Sequence, residues 1–315
     1  MTGKNKLRLA LLAGGRSAER EVSLAGARVV SAALDPERYH VRMYDPATDL
    51  ERLVHDSSQI DAAFILLHGR FGEDGTIQGL LDLLDIPYQG SGVLGSALAM
   101  DKHLSKVIYR EAGIPTPAWL LTEKDSPLTH EEIRQRLGLP VMVKPATQGS
   151  SVGITKVSSP EDVTRALEKA FSFDPRVVVE AFVPGREITG GILGTRPPTP
   201  LPLVEITPGE GFTFFDYEAK YRHGASRETC PADLTPDITH KAQGLALAAH
   251  KALQLTGYSR TDMILSPAGG LFVLETNTIP GMTETSLFPL AARAAGITFG
   301  ELLDQLIEMA LEGRS

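Results

Sequence analysis

The stretch LRLALLAGGRSAEREVSLAGARVVSAAL, residues 7–34, changes its period halfway along. Leu7 to Ala13 is a short, nearly continuous apolar run, which suits a strand buried on both faces. Gly14-Gly15 is a turn signal. From about Glu21 to Leu34 the apolar positions recur at helical spacing. Strand, tight turn and helix in that order open an α/β unit. Working outward, His40 to Tyr44 and Ala62 to Leu67 are further apolar runs, and Thr76 to Leu84 is again helical. Strands alternating with helices predict a parallel sheet with helices on its faces, a Rossmann-like first lobe over residues 1–95.

The remainder reads as two further lobes, 96–184 and 185–315, mixing α/β with α+β character. Val93 to Ala112 has one continuous helical pattern, closed by Gly113 with Pro115 and Pro117 beyond it. Val141 to Lys144 and Val177 to Phe182 are expected strands, with a helix at Pro160 to Ala170 between them. Pro184-Gly185 marks the second boundary. Past it, strand-like runs fall at Glu187 to Leu193, Leu201 to Ile206, Thr261 to Leu265 and Leu271 to Glu275. Helical patterns fall at Ile238 to Leu255 and Gly300 to Leu311. The segment from Gly209 to Pro236 has little periodicity and mixes aromatics with charges. A long irregular stretch of this kind suits a functional loop, here expected to be a lid.

Hydrophobic residues at 42% and charged residues at 22% of 315 describe an ordinary globular chain. The formal net charge of -8 and the lack of a Lys/Arg block give no bulk attraction for nucleic acid. The apolar stretch after Lys4, Lys6 and Arg8 is cut short by Gly14, Gly15 and Arg16, so it suits neither a signal peptide nor a membrane span. The single cysteine, Cys230, has no intrachain partner for a disulfide. A reducing, cytoplasmic setting is expected.

Four constellations carry chemistry. Glu275 and Asn277 alternate on one strand face, and Pro267-Ala268-Gly269-Gly270 makes a tight connection to the strand before. With the turn centred between Ala268 and Gly269, Asp262 stands opposite Glu275. Two facing carboxylates and an amide form an all-oxygen set suited to magnesium bound with phosphates rather than to zinc. A pair of solvated strand acids is the plainer alternative. Lys144-Pro145-Ala146-Thr147-Gln148-Gly149-Ser150-Ser151-Val152-Gly153 can set an ammonium and several N–H groups around phosphate oxygens. It lacks the Gly-Lys-Ser/Thr order of a Walker loop, and alone it reads equally as a Ser/Gly turn.

Glu180, Phe182, Val183 and Glu187 surround a strand end that can offer backbone groups to a base edge and an acid to ribose. Residues 14–21 and 68–75 both follow strands of the first lobe, where open parallel sheets bind ligands. Glu19 can pair with a substrate ammonium and His68 can orient it, although a helix N-terminus by itself also favours an acid at Glu19. Lys102 alone reads as a solvated helix lysine.

Taken together these residues resemble the D-alanine:D-alanine ligases of the ATP-grasp family. The likeness runs through Gly-Gly-Arg-Ser-Ala-Glu-Arg-Glu-Val-Ser-Leu from Gly14, His-Gly-Arg from His68 and Gly-Ser-Ser-Val-Gly from Gly149. It continues through Asp-Tyr-Glu-Ala-Lys-Tyr from Asp216 and Glu-Thr-Asn-Thr-Ile-Pro-Gly-Met-Thr from Glu275. The resemblance implies ATP clamped between the second and third lobes by Lys102, Lys144, Ser151, Glu180, Val183, Glu187 and Lys220. Two magnesium ions, with manganese as a substitute, would sit on Asp262, Glu275 and Asn277.

It further implies that Glu19 and His68 receive a first D-alanine, and that Ser286 and Leu287 receive a second. Ser150 and Tyr221 would link to fasten the lid, and Arg260 with the Gly281 N–H would stabilise an oxyanion. Expected partners are ATP, D-alanine and a second copy of the chain in a homodimer, with neither nucleic acid nor membrane. Ala181, Gln148 and Ser259-Arg260-Thr261-Asp262 depart from the common family pattern. The rivals are a related ligase making another dipeptide or a depsipeptide, and a nucleotide-binding protein without turnover. A dinucleotide-dependent dehydrogenase is opposed by the lack of Gly-x-Gly-x-x-Gly after the first strand.

Overall fold

The computed structural model describes residues 6–149, 152–209 and 226–312. Strand β1 (Leu7–Leu12) is followed by helix α1 (Arg20–Ala33), β2 (Tyr39–Tyr44), α2 (Leu50–Asp56), β3 (Ala62–Ile65) and α3 (Thr76–Leu83). Both β2 and β3 run parallel to β1, which lies between them. Leu9 and Leu11 face one apolar cluster with Phe64 and Ala27, while Ala10 and Leu12 face another with Tyr44 and Ile77. Burial on both faces explains why residues 7–13 are almost continuously apolar rather than alternating.

The single helix expected over 93–112 is two helices, α4 (Val93–Met100) and α5 (Lys102–Glu111). Asp101 breaks the run with extended backbone, φ -85° and ψ 103°. Its carboxylate caps α5, accepting the His103 and Leu104 N–H groups at 3.0 Å each. It also holds Arg176 at 2.5 Å. Capping two orphan donors offsets the lost continuity, and it sets the direction in which the first turn of α5 points.

The second sheet contains β4 (Trp119–Glu123), β5 (Val141–Pro145), β6 (Thr155–Val157) and β7 (Arg176–Ala181), in the antiparallel order β4-β7-β5-β6. Helices α6 (His130–Leu137) and α7 (Val163–Phe171) cover the face that carries Val141, Val143, Val177 and Val179. Alternation turns Met142, Lys144, Val178 and Glu180 to the opposite face. The expected helix from Pro160 starts as a 3-10 turn, Pro160–Asp162, before α7.

The third sheet runs β11-β10-β8-β12-β13, with a short β9 beside β8, and its pairings are antiparallel. The strands are β8 (Arg186–Leu193), β9 (Thr199–Pro200), β10 (Val204–Pro208), β11 (Ser226–Thr229), β12 (Tyr258–Leu265) and β13 (Leu271–Asn277). Helix α8 (Pro236–Ala252) lies on this sheet through Ala242, Ala246 and Ala249. A Cβ at Gly190 would stand 2.9 Å from that of Ala246, so glycine is what lets the helix approach. The last helices, α9 (Leu287–Ala294) and α10 (Phe299–Glu312), return to the first sheet, where Leu302, Leu306 and Ile307 join the cluster of Leu9 and Phe64. No helix among the described residues is long and apolar enough to cross a membrane.

Candidate active site

The β12–β13 hairpin brings Asp262 opposite Glu275 as expected, by a different route. Leu265 with Leu271, Ile264 with Phe272 and Met263 with Val273 centre the turn on Ala268 itself. A register shift between Asp262 and Met263 then restores the pairing by leaving Leu274 as the extra residue of a bulge. Asp262 is enclosed. Its Oδ1 accepts Thr189 Oγ1–H at 2.8 Å and Arg260 Nε–H at 2.9 Å. Its Oδ2 accepts Arg260 Nη2–H at 2.8 Å and Asn277 Nδ2–H at 3.1 Å.

Asn277 gives its N–H to Asp262, which leaves its carbonyl oxygen for another partner, and Asn277 and Glu275 both line the cleft. Lys102 Nζ approaches Glu275 Oε2 at 3.3 Å and donates to Gln148 O at 2.6 Å. Buried Arg260 loses stability as a cation by desolvation, but Asp262 outweighs this and raises its pKa. The hard donor set of Glu275, Asn277 and Asp262 fits a divalent oxygen-seeking ion, provided Asp262 exchanges one of its present partners for the metal. No cluster of three His, Cys, Asp or Glu side chains suited to a metal exists among the described residues.

On the second sheet, Lys144 Nζ reaches Glu180 Oε1 at 2.7 Å. The other oxygen of Glu180 takes Lys106 Nζ at 2.5 Å. Lys106 had no signal in the sequence beyond being a helix lysine. Burial works against the charge on Lys144, and Glu180 more than restores it, raising the pKa. Burial lowers that of Lys106 despite Glu180. Desolvation would raise the Glu180 carboxyl, but Lys106 and Lys144 hold it below the ordinary range. Val183 and Glu187 follow in the chain, half-buried, and the charge of Glu187 reaches Lys144.

On the first-lobe side, Gly14 and Gly15 do not offer free N–H groups to a ligand. Gly14 N–H donates to Ser23 Oγ at 2.8 Å and Gly15 N–H to Asp45 Oδ1 at 2.9 Å. Arg20 closes on Asp45 at 2.5 Å. Glu19 stands at the start of α1, where the helix dipole favours an acid, and its side chain makes no cap bond there. It is buried at the cleft, and Cβ atoms at Gly69 or Gly149 would stand 2.7 Å from its Oε2. A side chain at either position would push the Glu19 carboxylate aside, and the positive φ of Gly69, 68°, favours glycine there in addition.

Glu73, which sequence reasoning placed only within the His68 segment, accepts Gly69 N–H at 2.7 Å. The backbone of Ile279 hydrogen-bonds both His68 and Glu73. Burial, with Arg260 adding to it, lowers His68 to about 4, leaving a neutral imidazole at pH 7. Burial and the neighbouring Glu19 push Glu73 up to about 8.

Glu19, His68, Glu73, Gly149, Arg260, Glu275, Asn277, Gly281, Ser286 and Leu287 line one cleft of about 560 Å³. Ser286 Oγ is 2.8 Å from Thr283 Oγ1, and a Cβ at Gly281 would meet it at 3.1 Å. The N-terminus of α9 therefore opens at the cleft beside Gly281. Of the sequence-based candidates, Ser150, Ser151, Lys220, Tyr221 and residues 210–225 of the expected lid lie outside the described residues, while the end of that segment is not irregular, since Ser226–Thr229 is β11 paired with β10.

Two family models match, D-ala D-ala ligase N-terminus over residues 47–91 and D-ala D-ala ligase C-terminus over residues 108–308. The D-alanine--D-alanine ligase of Syntrophobacter fumaroxidans is 57% identical over 98% of both chains. That of Desulfotalea psychrophila is 53% identical over 98% of this chain and 96% of its own. Among solved structures, a D-alanine--D-alanine ligase from Bacillus anthracis superposes with a TM-score of 0.87 at 38% identity, covering 98% of each chain. The same organism's enzyme complexed with ATP gives 0.86 at 35% identity, again over 98% of each. With identity this high along nearly the whole length, and with the three sheets arranged as an ATP-grasp fold, the chain belongs to the D-alanine–D-alanine ligase family.

Proposed function

We propose that this protein is an ATP-dependent ligase that joins two D-alanine molecules into D-alanyl-D-alanine, for use in peptidoglycan precursor synthesis. The observation that carries this reading is the shared cleft. It sets the Glu19–His68 corner against Arg260, Gly281 and the N-terminus of α9, with Glu275 and Asn277 on the same wall. Beside it stands the buried Lys144–Glu180–Lys106 group.

A carboxylate is a poor acyl donor until its oxygen is phosphorylated. The first D-alanine binds with its ammonium toward Glu19, and its carboxylate attacks the γ-phosphate to give an acyl phosphate and ADP. Lys102, Lys144 and Lys220 hold the nucleotide's phosphates, while Ser151, Glu180, Val183 and Glu187 complete its site. Catalysis of this step is chiefly positioning and charge neutralisation. Asp262, Glu275 and Asn277 would hold two magnesium ions, or manganese in their place, which would supply neutralisation of phosphate charge.

The second D-alanine sits with its carboxylate at Ser286 and Leu287, where helix N–H groups favour an anion. Its unprotonated amine attacks the acyl carbon and expels phosphate. Arg260 and the Gly281 N–H stabilise the tetrahedral oxyanion. Neutral His68 is suited to orient the first substrate without adding a competing cation. Ser150 and Tyr221 fasten the part of residues 209–236 that precedes β11 over the site as a lid, which keeps water from the acyl phosphate.

The three-lobe division at 95 and 184 is retained as part of this reading, since each sheet falls inside one lobe. Exposed Leu83, Val93 and Leu94 on α3 and α4 support a homodimer, and free Cys230 suits the cytoplasm. The test is phosphate release from ATP with D-alanine, L-alanine and D-lactate in parallel. Release with D-alanine, coupled to dipeptide, is expected. Equal release with all three, or none, would remove the assignment.

A further inference from the structure

We propose that Lys106 is a positioning residue of the nucleotide site, taking one oxygen of Glu180 so that Lys144 keeps a net positive charge for the phosphate chain. The inference rests on the reading of Lys144 and Glu180 as nucleotide ligands. Lys106 lies four residues after Lys102 on α5 and therefore on the same helix face. Its side chain is 1% exposed. Its ammonium is fixed by Glu180 Oε2 at 2.5 Å and Thr116 Oγ1 at 2.7 Å, with the Trp119 ring centre at 5.7 Å. Thr116 is itself anchored, donating its hydroxyl to Val273 O at 2.8 Å.

Charge counting gives Lys106 its purpose. A buried Lys144–Glu180 pair would be neutral and closed, and a phosphate would have to compete with Glu180 for the ammonium. With Lys106 present, one carboxylate serves two ammoniums and the group carries one surplus positive charge. In a desolvated site that surplus is expensive until an anion arrives, which favours phosphate binding. An ammonium has three donors, and Lys144 spends one on Glu180.

The pattern across nucleotides separates this role from mere packing. Dissociation constants for ATP, ADP, AMP and adenosine are to be measured on the full chain as wild type, Lys106→Met, Thr116→Val and Lys144→Met. Lys106→Met should weaken ATP about tenfold or more, ADP less, and adenosine within about twofold. Thr116→Val, which frees the ammonium without removing it, should follow the same order more weakly. It carries the test if Lys106→Met does not fold. Equal loss for adenosine and ATP, or no loss for ATP, in a Lys106→Met protein that melts cooperatively overturns the inference. An unchanged ATP affinity in Lys144→Met instead overturns the placement of the nucleotide, and the inference falls with it.

Discussion

Glu275 lines the cleft with the Lys102 ammonium 3.3 Å from one oxygen, so an arriving divalent cation competes with Lys102 for that carboxylate. Replacing Glu275 by Gln removes the anionic donor while keeping its shape. Turnover should fall about 10- to 100-fold, with the magnesium midpoint moved to higher concentration and the melting temperature little changed. Unaltered turnover at the same midpoint would take Glu275 out of the metal set. The shared face of Glu275 and Asn277 was legible from strand alternation, but Asp262 meets Glu275 only through the bulge at Leu274, which the sequence did not mark. Lys106 and Glu73 were not legible. Lys106 differs from a solvated helix lysine only in what covers it, and Glu73 becomes unusual only beside Glu19 and Ile279, which are remote in sequence.

At the scale of elements, Asp101 decides where α5 starts and hence where Lys102 and Lys106, both in its early turns, point. Asp101→Ala removes the cap on His103 and Leu104 and the partner of Arg176. The cap is worth about 1 kcal/mol, and the partly exposed ion pair adds little, so a loss of about 1–2 kcal/mol is expected by chemical denaturation. Asp101→Asn keeps a capping oxygen and should lose less than half as much. Both variants should raise KM for ATP before that for D-alanine. Equal stability of Asp101→Ala and wild type would deny the cap this role.

The break was hidden because residues 93–112 carry no internal Gly-Gly or Pro signal, and apolar periodicity continues across it. Helix α6 was not among the expected elements, although Thr129 and Glu132 form a reciprocal capping box at its start. The strand order of the third sheet had no such local mark. Strand β8 pairs with β12 across the whole of α8, a choice made by burial of both faces rather than by either strand's own pattern.

For the whole molecule, three buried groups set a pH profile of stability in opposing directions. His68 and His250 are lowered from 6.5 to about 4, both mainly by burial. In each case the unfolded chain takes up a proton the folded chain refuses, so stability falls as pH drops from 6.5 toward 4. Glu73 is raised from 4.5 to about 8, so its contribution is present at low pH and is lost as pH rises through that window.

Between 4.5 and 6.5 two histidines oppose one carboxyl, and the net slope favours higher pH. Between 6.5 and 8 the histidines no longer contribute and Glu73 lowers stability as pH rises, by about 1–2 kcal/mol. The melting temperature should therefore peak near pH 6.5. His250, whose Nδ1 lies 2.8 Å from Ser259 Oγ, does not line the cleft and can be replaced by Gln without losing a polar partner for that hydroxyl. In His250→Gln one histidine is left against one carboxyl, and the rise between pH 4.5 and 6.5 should flatten to a plateau. A wild-type melting temperature that keeps rising to pH 8 contradicts the assignment of Glu73. An unchanged acid limb in His250→Gln contradicts that of the histidine.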